Sequence, residues 1–243
     1  VCGIMLFGKY PQYLSPNLDI VAVVCTTTNY AEESESGERF IVNKRLDGTI
    51  PQMLESGLAF VQQNIAKSTV IDNTGHRNDV SEYPVKAIRE IILNALIHRD
   101  YSIHTENEPI RIEIYPDRIE VSNPGGLYGR LSIDDLGKIK ADVRNPFIAA
   151  ALEILNTTEN RYSGIPTIYS EMKKAGLMEP KFEDMRGTFK VTLYNSKKVQ
   201  ADLSEQIIEF CRKPRTKEVL AKEFGFDEKH PAYFINNYIL PLI

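Results

Sequence analysis

The chain has 243 residues, 42% hydrophobic and 26% charged, with a formal net charge of −4. That is the make-up of a soluble globular protein with room for one large or two modest domains. A protein that coats itself in nucleic acid is usually basic, so DNA contact here has to be local or shared across a homodimer.

No apolar run approaches the roughly 18 residues that a membrane span needs, and no basic stretch precedes an apolar one at the start, as a secretory signal requires. The three cysteines, Cys2, Cys25 and Cys211, are widely spaced among apolar residues, and the four histidines show no metal-ligand spacing with them. The expectation is a cytoplasmic protein with reduced thiols, without disulfides, a zinc site or membrane contact. The first residue is Val1, not Met, and Val1–Phe7 reads as an interior strand, so the sequence reads as a fragment.

In chain order, Ile20–Cys25 is expected as a buried strand and the acidic stretch Thr26–Arg39 as a surface loop. Apolar residues at helical spacing (Met53, Leu54, Leu58, Phe60, Val61, Ile65) predict a helix from Ile50 to about Ala66. A second long helix is predicted from about Pro84 to Arg99, with Pro84 in its first turn. Ile110, Ile112 and Ile114 alternate with charged residues, Pro116-Asp117 turns the chain, and Arg118–Ser122 returns as the second strand of a hairpin. Three short helices have readable starts at Ser132 with Asp135, at Asn145-Pro146 and at Ser163-Gly164, and Gly176 suits the end of the last. Gly187–Tyr194 alternates as a strand. Beyond it, Leu203–Cys211, Thr216–Phe224 and Pro231–Leu240 read as three short helices with tight turns, the helix-turn-helix pattern. The chain stops at Ile243, where a winged helix would add its wing.

The long helix carries the chemistry. Isoleucine, leucine and alanine cover most of its circumference, yet Lys86, Glu90, Asn94 and His98 recur every four residues and form one polar stripe. Burying an amide and a carboxylate without partners costs several kcal/mol. Either protein groups satisfy the stripe, or it lines a pocket that is wet or filled by a ligand.

Glu90-x-x-x-Asn94-x-x-x-His98 resembles the N-box of the GHKL ATPases, the family of gyrase, MutL and the histidine kinases. The resemblance implies that Glu90 polarises an attacking water as the catalytic residue, that Asn94 holds Mg²⁺, and that His98 meets phosphate. A wider set of motifs is more specific: Asn94-Ala95-Leu96-Ile97-His98-Arg99-Asp100-Tyr101-Ser102, Asn123-Pro124-Gly125-Gly126-Leu127, Arg144-Asn145-Pro146 and Ser163-Gly164-Ile165-Pro166. Together they resemble the proteins described as transcriptional regulators or as ATP-dependent DNA helicase-related, RecG-like C-terminal proteins, over about Val1 to Tyr194. Val1–Pro11 looks like the end of the Schlafen/Alba-like DNA-binding domain that precedes this unit in the family.

Two departures stand out. Where the GHKL pattern has Asp-x-Gly-x-Gly, this chain has Asn123, compressed glycines at Gly125 and Gly126, and Pro124 between. Asn123 can still accept a hydrogen bond from an adenine amino group, but without the charge. The glycine-rich lid is reduced to Tyr162-Ser163-Gly164, just before a helix N-terminus that could receive a phosphate. There is also no Gly-x-x-x-x-Gly-Lys-Ser/Thr loop, so unwinding has no visible engine.

The resulting expectation is an α/β (α+β) sandwich of the Bergerat/GHKL type, a mixed or antiparallel sheet with helices on one face, followed by a partial winged helix. Residues 1–80 would be the end of the preceding domain with connecting strands and helix, 81–196 the nucleotide-binding domain, and 200–243 the winged helix. The implied cofactors are ATP and Mg²⁺, on Asn94, His98, Asn123, Gly125, Gly126 and Gly164. The implied partner is double-stranded DNA, with Arg212, Lys213, Arg215 and Lys217 on phosphates and His230, Tyr233, Asn236 and Asn237 toward base edges. The function expected is a DNA-binding transcriptional regulator with a degenerate ATP site; the alternatives are an ATP-dependent enzyme acting on DNA and a dimerisation scaffold.

Overall fold

The computed structural model describes residues 1–34, 37–71, 77–139, 142–155, 157, 164–196, 210–211 and 216–224. The chain divides into two compact units, Val1–Asn195 and Ser196–Ile243. The first is built on a mixed six-stranded sheet of order β2-β1-β5-β6-β8-β7. Its strands are β1 (Ile20–Cys25), β2 (Phe40–Leu46), β5 (Ile110–Ile114), β6 (Arg118–Pro124), β7 (Lys181–Met185) and β8 (Thr188–Tyr194). Only β1 and β5 run parallel; the other neighbours are antiparallel. A separate hairpin pairs β3 (Lys67–Ile71) with β4 (Arg77–Ser81). Segments on both sides of residue 80 thus supply strands to one sheet.

Two helices, α3 (Ile50–Asn64) and α4 (Val85–His98), pack on one face of that sheet. The pleat explains the division. Ile20, Ala22, Ile112, Ile114, Ile119 and Val121 point into the main core with these helices, while Val23, Cys25 and Tyr115 form a second, smaller cluster. Gly57 lets α3 lie close: a Cβ there would already touch Ile112 and Ile92 at 3.4 and 3.5 Å.

Of the predicted elements, the strand at Ile20–Cys25, both long helices, the hairpin at 110–124, the starts at Asn145 and Gly164, and the last strand are present. Pro84 is the N-cap of α4, one position earlier than expected. The start predicted at Ser132 is a single 3₁₀ turn, with Asp135 accepting from the Ser132 backbone N–H at 3.2 Å and its hydroxyl at 2.6 Å.

Val1–Phe7 is a correction. It is a helix, α1 (Cys2–Phe7), followed by the short α2 (Pro11–Leu14). A six-residue apolar run does not distinguish strand from helix by pattern alone. Met5 and Leu6 bury one side of α1 in the main core, and α1 contacts α3 and α5 (Pro146–Ile154).

In the second unit the described helix is α7 (Lys217–Glu223), capped by Thr216, whose hydroxyl oxygen accepts from the Val219 N–H at 3.5 Å. Leu220 is buried, and Phe210 meets Phe224 edge-on at 5.7 Å. No winged helix is evident among the described residues; the helices predicted at Leu203–Cys211 and Pro231–Leu240 fall mainly or wholly outside them. No described helix is long and apolar enough to cross a membrane.

Candidate functional site

Helix α4 affords its polar stripe because of what surrounds it. Ala87, Ile88, Ile91, Ile92, Leu93, Ala95, Leu96 and Ile97 are all buried. At roughly 1.5–3 kcal/mol per buried aliphatic side chain, its isoleucines and leucines outweigh the several kcal/mol that desolvating one amide costs. Lys86 is exposed, while Glu90, Asn94 and His98 are half-buried. The stripe thus enters the protein from its exposed end at Lys86.

Asn94 and His98 line one cavity, of about 90 Å³, together with Asn123, Gly125 and Gly126. Its apolar walls come from Ile91 and Ala95 on α4, Val121 on β6, and Phe189 and Val191 on β8. That volume is well below the ~300–1,000 Å³ of an ordinary small-molecule site.

Gly164 begins α6 (Gly164–Lys174), which packs on α4. A Cβ at Gly164 would lie 2.9 Å from Asn94 Nδ2 and 3.1 Å from Glu90 Oε2. The first turn of α6 therefore sits against Glu90 and Asn94. The Asn94 Nδ2 is buried and makes no hydrogen bond. The approach leaves no room for a side chain at Gly164, and the orphaned Nδ2 fits a hydrogen-bond acceptor on a ligand.

Arg144, Asp100 and Asn145, which the sequence placed in its motifs without a role in the site beyond a helix start, join these parts. Arg144 forms an ion pair with Asp100 at 3.2 Å, donates to the Gly126 carbonyl at 2.8 Å, and lies 5.1 Å from the centre of the Tyr128 ring. Asp100 in turn accepts from the Ser102 N–H, and its own N–H donates to the Pro124 carbonyl. Gly125 has φ +93°, and a Cβ there would lie 2.7 Å from the Asp100 Cβ. Asn145 does not use its side chain to cap its own helix. It donates instead to the Ile97 and Arg99 carbonyls, both at 2.7 Å, closing the C-terminus of α4. The motifs around Asn94, Asn123, Arg144 and Gly164 thus converge on one place. The available signal was the pair of opposite charges, Asp100 and Arg144, inside two of those motifs.

Electrostatics revises the role expected of His98. Burial, helped by the Arg144 charge, lowers its pKa to about 4. At neutral pH it is an uncharged donor or acceptor, and the permanent cation beside it is Arg144. Asn123 is 3% exposed at the end of β6, opposite Phe189, and its Nδ2 makes a long 3.4 Å bond to the Pro124 carbonyl. Among the described residues no three His, Cys, Asp or Glu side chains cluster for a metal. Of the expected DNA-contacting residues, Lys217 is exposed at the start of α7; Arg212, Lys213, Arg215, His230, Tyr233, Asn236 and Asn237 lie outside the described residues.

The HATPase-type family model described as "Putative ATP-dependent DNA helicase recG C-terminal" matches residues 107–193. That segment holds Asn123, Gly125, Gly126, Arg144 and Gly164 but not Glu90, Asn94 or His98. A solved structure, the DIP2311 protein from Corynebacterium diphtheriae, is similar over 97% of this chain and 49% of its own, with a TM-score of 0.67 at 20% identity. The chain therefore spans about half the length of that protein, and the likeness concerns the fold. No curated protein gives a match. Residues 107–193 thus match a HATPase-like, helicase-related domain family, set in a mixed α/β fold.

Proposed function

We propose that Val1–Asn195 is a nucleotide-sensing unit with a degenerate Bergerat-type ATP site, and that it governs DNA binding by the C-terminal unit of a transcriptional regulator. The observation that carries the nucleotide reading is the buried Asn94 Nδ2, which makes no hydrogen bond and faces the glycine that opens α6. The base enters the cavity between α4 and the ends of β6 and β8. The phosphates pass the Gly125–Gly126 turn toward the first turn of α6, where backbone N–H groups favour anions. The Asn94 carbonyl oxygen is a hard ligand suited to Mg²⁺, which when bound offsets phosphate charge. Arg144 holds the glycine turn through Gly126 and supplies positive charge at its edge.

Glu90 is the group placed to orient water, and slow or absent turnover is the expectation. Robust wild-type turnover that survives Glu90→Ala would remove that role. The binding claim is tested by calorimetric titration of Mg²⁺-ATP into wild type and Asn94→Ala. Weaker binding in a folded Asn94→Ala variant supports it. Equal affinities would remove Asn94 from the site, and absence of binding to wild type would return the stripe to a structural role.

For DNA, the support is the basic run Arg212, Lys213, Arg215 and Lys217 beside a capped helix. Neutralised phosphates release counterions, so Arg215→Ala with Lys217→Ala should weaken duplex binding and flatten its salt dependence. Loss of neither would leave the unit as a dimerisation or protein-contact element.

A further inference from the structure

Three polar side chains that line the cavity carry no charge at neutral pH. Asn94 and Asn123 are amides and His98 is uncharged at neutral pH. Asp142, the carboxylate among the described lining residues, is exposed. The walls around Asn123 are apolar: Val121 precedes it on β6, and Phe189 and Val191 stand on the neighbouring β8. A flat heteroaromatic ring between these walls and α4 meets Asn123 at its edge, so the Asn123 amide decides which ring edges are accepted.

An amide places one donor and one acceptor side by side, and a half-turn exchanges them. A 6-aminopurine edge offers an amino donor next to a ring-nitrogen acceptor, the arrangement that Asn matches in adenine. A 6-oxopurine edge offers the reverse, a carbonyl acceptor next to a ring N–H donor, and the turned amide matches it equally well. A carboxylate can only accept, so it fits the amino group and repels the 6-oxygen. The bond from Asn123 Nδ2 to the Pro124 carbonyl, at 3.4 Å and within the same turn, is too long to hold the amide in one orientation.

We infer that Asn123 reads the 6-position of a purine with either polarity, so that this site takes 6-oxopurine nucleotides as well as adenine nucleotides. The inference rests on the nucleotide-sensing reading above and names the ligand class for the same cavity. It makes Asn123 the specificity-determining residue.

The test is calorimetric titration of the full chain with the Mg²⁺ complexes of ATP and of inosine triphosphate, which differ at the 6-position of the base. Wild type is expected to bind the two within about tenfold of each other, because neither leaves the amide unpaired. Asn123→Asp should move the ratio at least about tenfold toward ATP. ATP preferred by more than about a hundredfold in wild type, or a ratio unchanged by a folded Asn123→Asp, would overturn the inference while leaving the nucleotide-sensing reading in place. Binding of neither nucleotide would overturn both. If the buried carboxylate prevents Asn123→Asp from folding, the wild-type ratio decides alone.

Discussion

His98 gives the most quantitative check on the site, because its environment sets a stability difference with a known sign. In an unfolded chain the imidazole titrates at its ordinary 6.5; in the fold, burial and the Arg144 charge hold it near 4. Between those two values the unfolded chain binds a proton that the native protein does not. Stability from this group is therefore fully present above pH 6.5 and is lost as pH falls through the window to about 4. At 1.36 kcal/mol per pKa unit the whole window corresponds to about 3 kcal/mol. His98→Gln keeps a polar side chain of similar reach and cannot titrate. Urea unfolding of both proteins at intervals from pH 7.5 to pH 4 should show wild type losing up to about 3 kcal/mol more than the variant, with the divergence beginning near pH 6.5. Parallel pH profiles would refute the reasoning, since they would mean that His98 protonates as easily in the fold as in the open chain.

The turn beside it should separate two adjacent glycines. Gly125→Ala places a Cβ at φ +93° against the Asp100 Cβ and is expected to cost about 2 kcal/mol or more, whereas Gly126→Ala meets only the end of the exposed Asp184 side chain and should cost less than about 1 kcal/mol; thermal unfolding that ranks them the other way would contradict the turn geometry. Asn145→Ala removes two hydrogen bonds from the end of α4 and should destabilise by about 2 kcal/mol in chemical denaturation, and a change under about 0.5 kcal/mol would show that water replaces it at no cost. On the other sheet face, Glu113 stands opposite Glu120 across the β5–β6 ladder, and burial with the facing Glu120 charge raises its pKa. The charged form is thus disfavoured in the fold, so Glu113→Gln should stabilise by about 0.5–1 kcal/mol at pH 7 and lose that advantage once the pH is low enough to protonate Glu113 in both states. Equal stability of the two proteins at pH 7 would rule this out.

The parts of the fold that were legible in the sequence carry their periodicity in side chains that meet the core. α4 has a buried face broad enough to leave one polar stripe, and β5 alternates Ile110, Ile112 and Ile114 with charged residues. The edge strands gave no such signal. β2 shows mostly exposed or half-buried residues, among them Lys44 and Arg45, and β7 buries only Phe182 of its five. Charged edges of this kind discourage pairing with another chain, and the same charges hide the strand. The pairing of Asp100 with Arg144, and of Asn145 with the end of α4, depends on distant segments being brought together, which no local pattern encodes. Glu90, Asn94 and His98 could be read because a helix repeats them every turn. The role of His98 could not, since its neutral state follows from burial and from Arg144.

Whether the cavity on α4 receives a purine nucleotide is tested most directly by amide hydrogen exchange on the full chain, with and without Mg²⁺-ATP. The expected result is slowed exchange in three separate stretches: around Asn94–His98, through Asn123–Tyr128, and in the first turn of α6 from Gly164. Unchanged exchange at all three under saturating nucleotide, or protection confined to other parts of the chain, would contradict the assignment of this cavity.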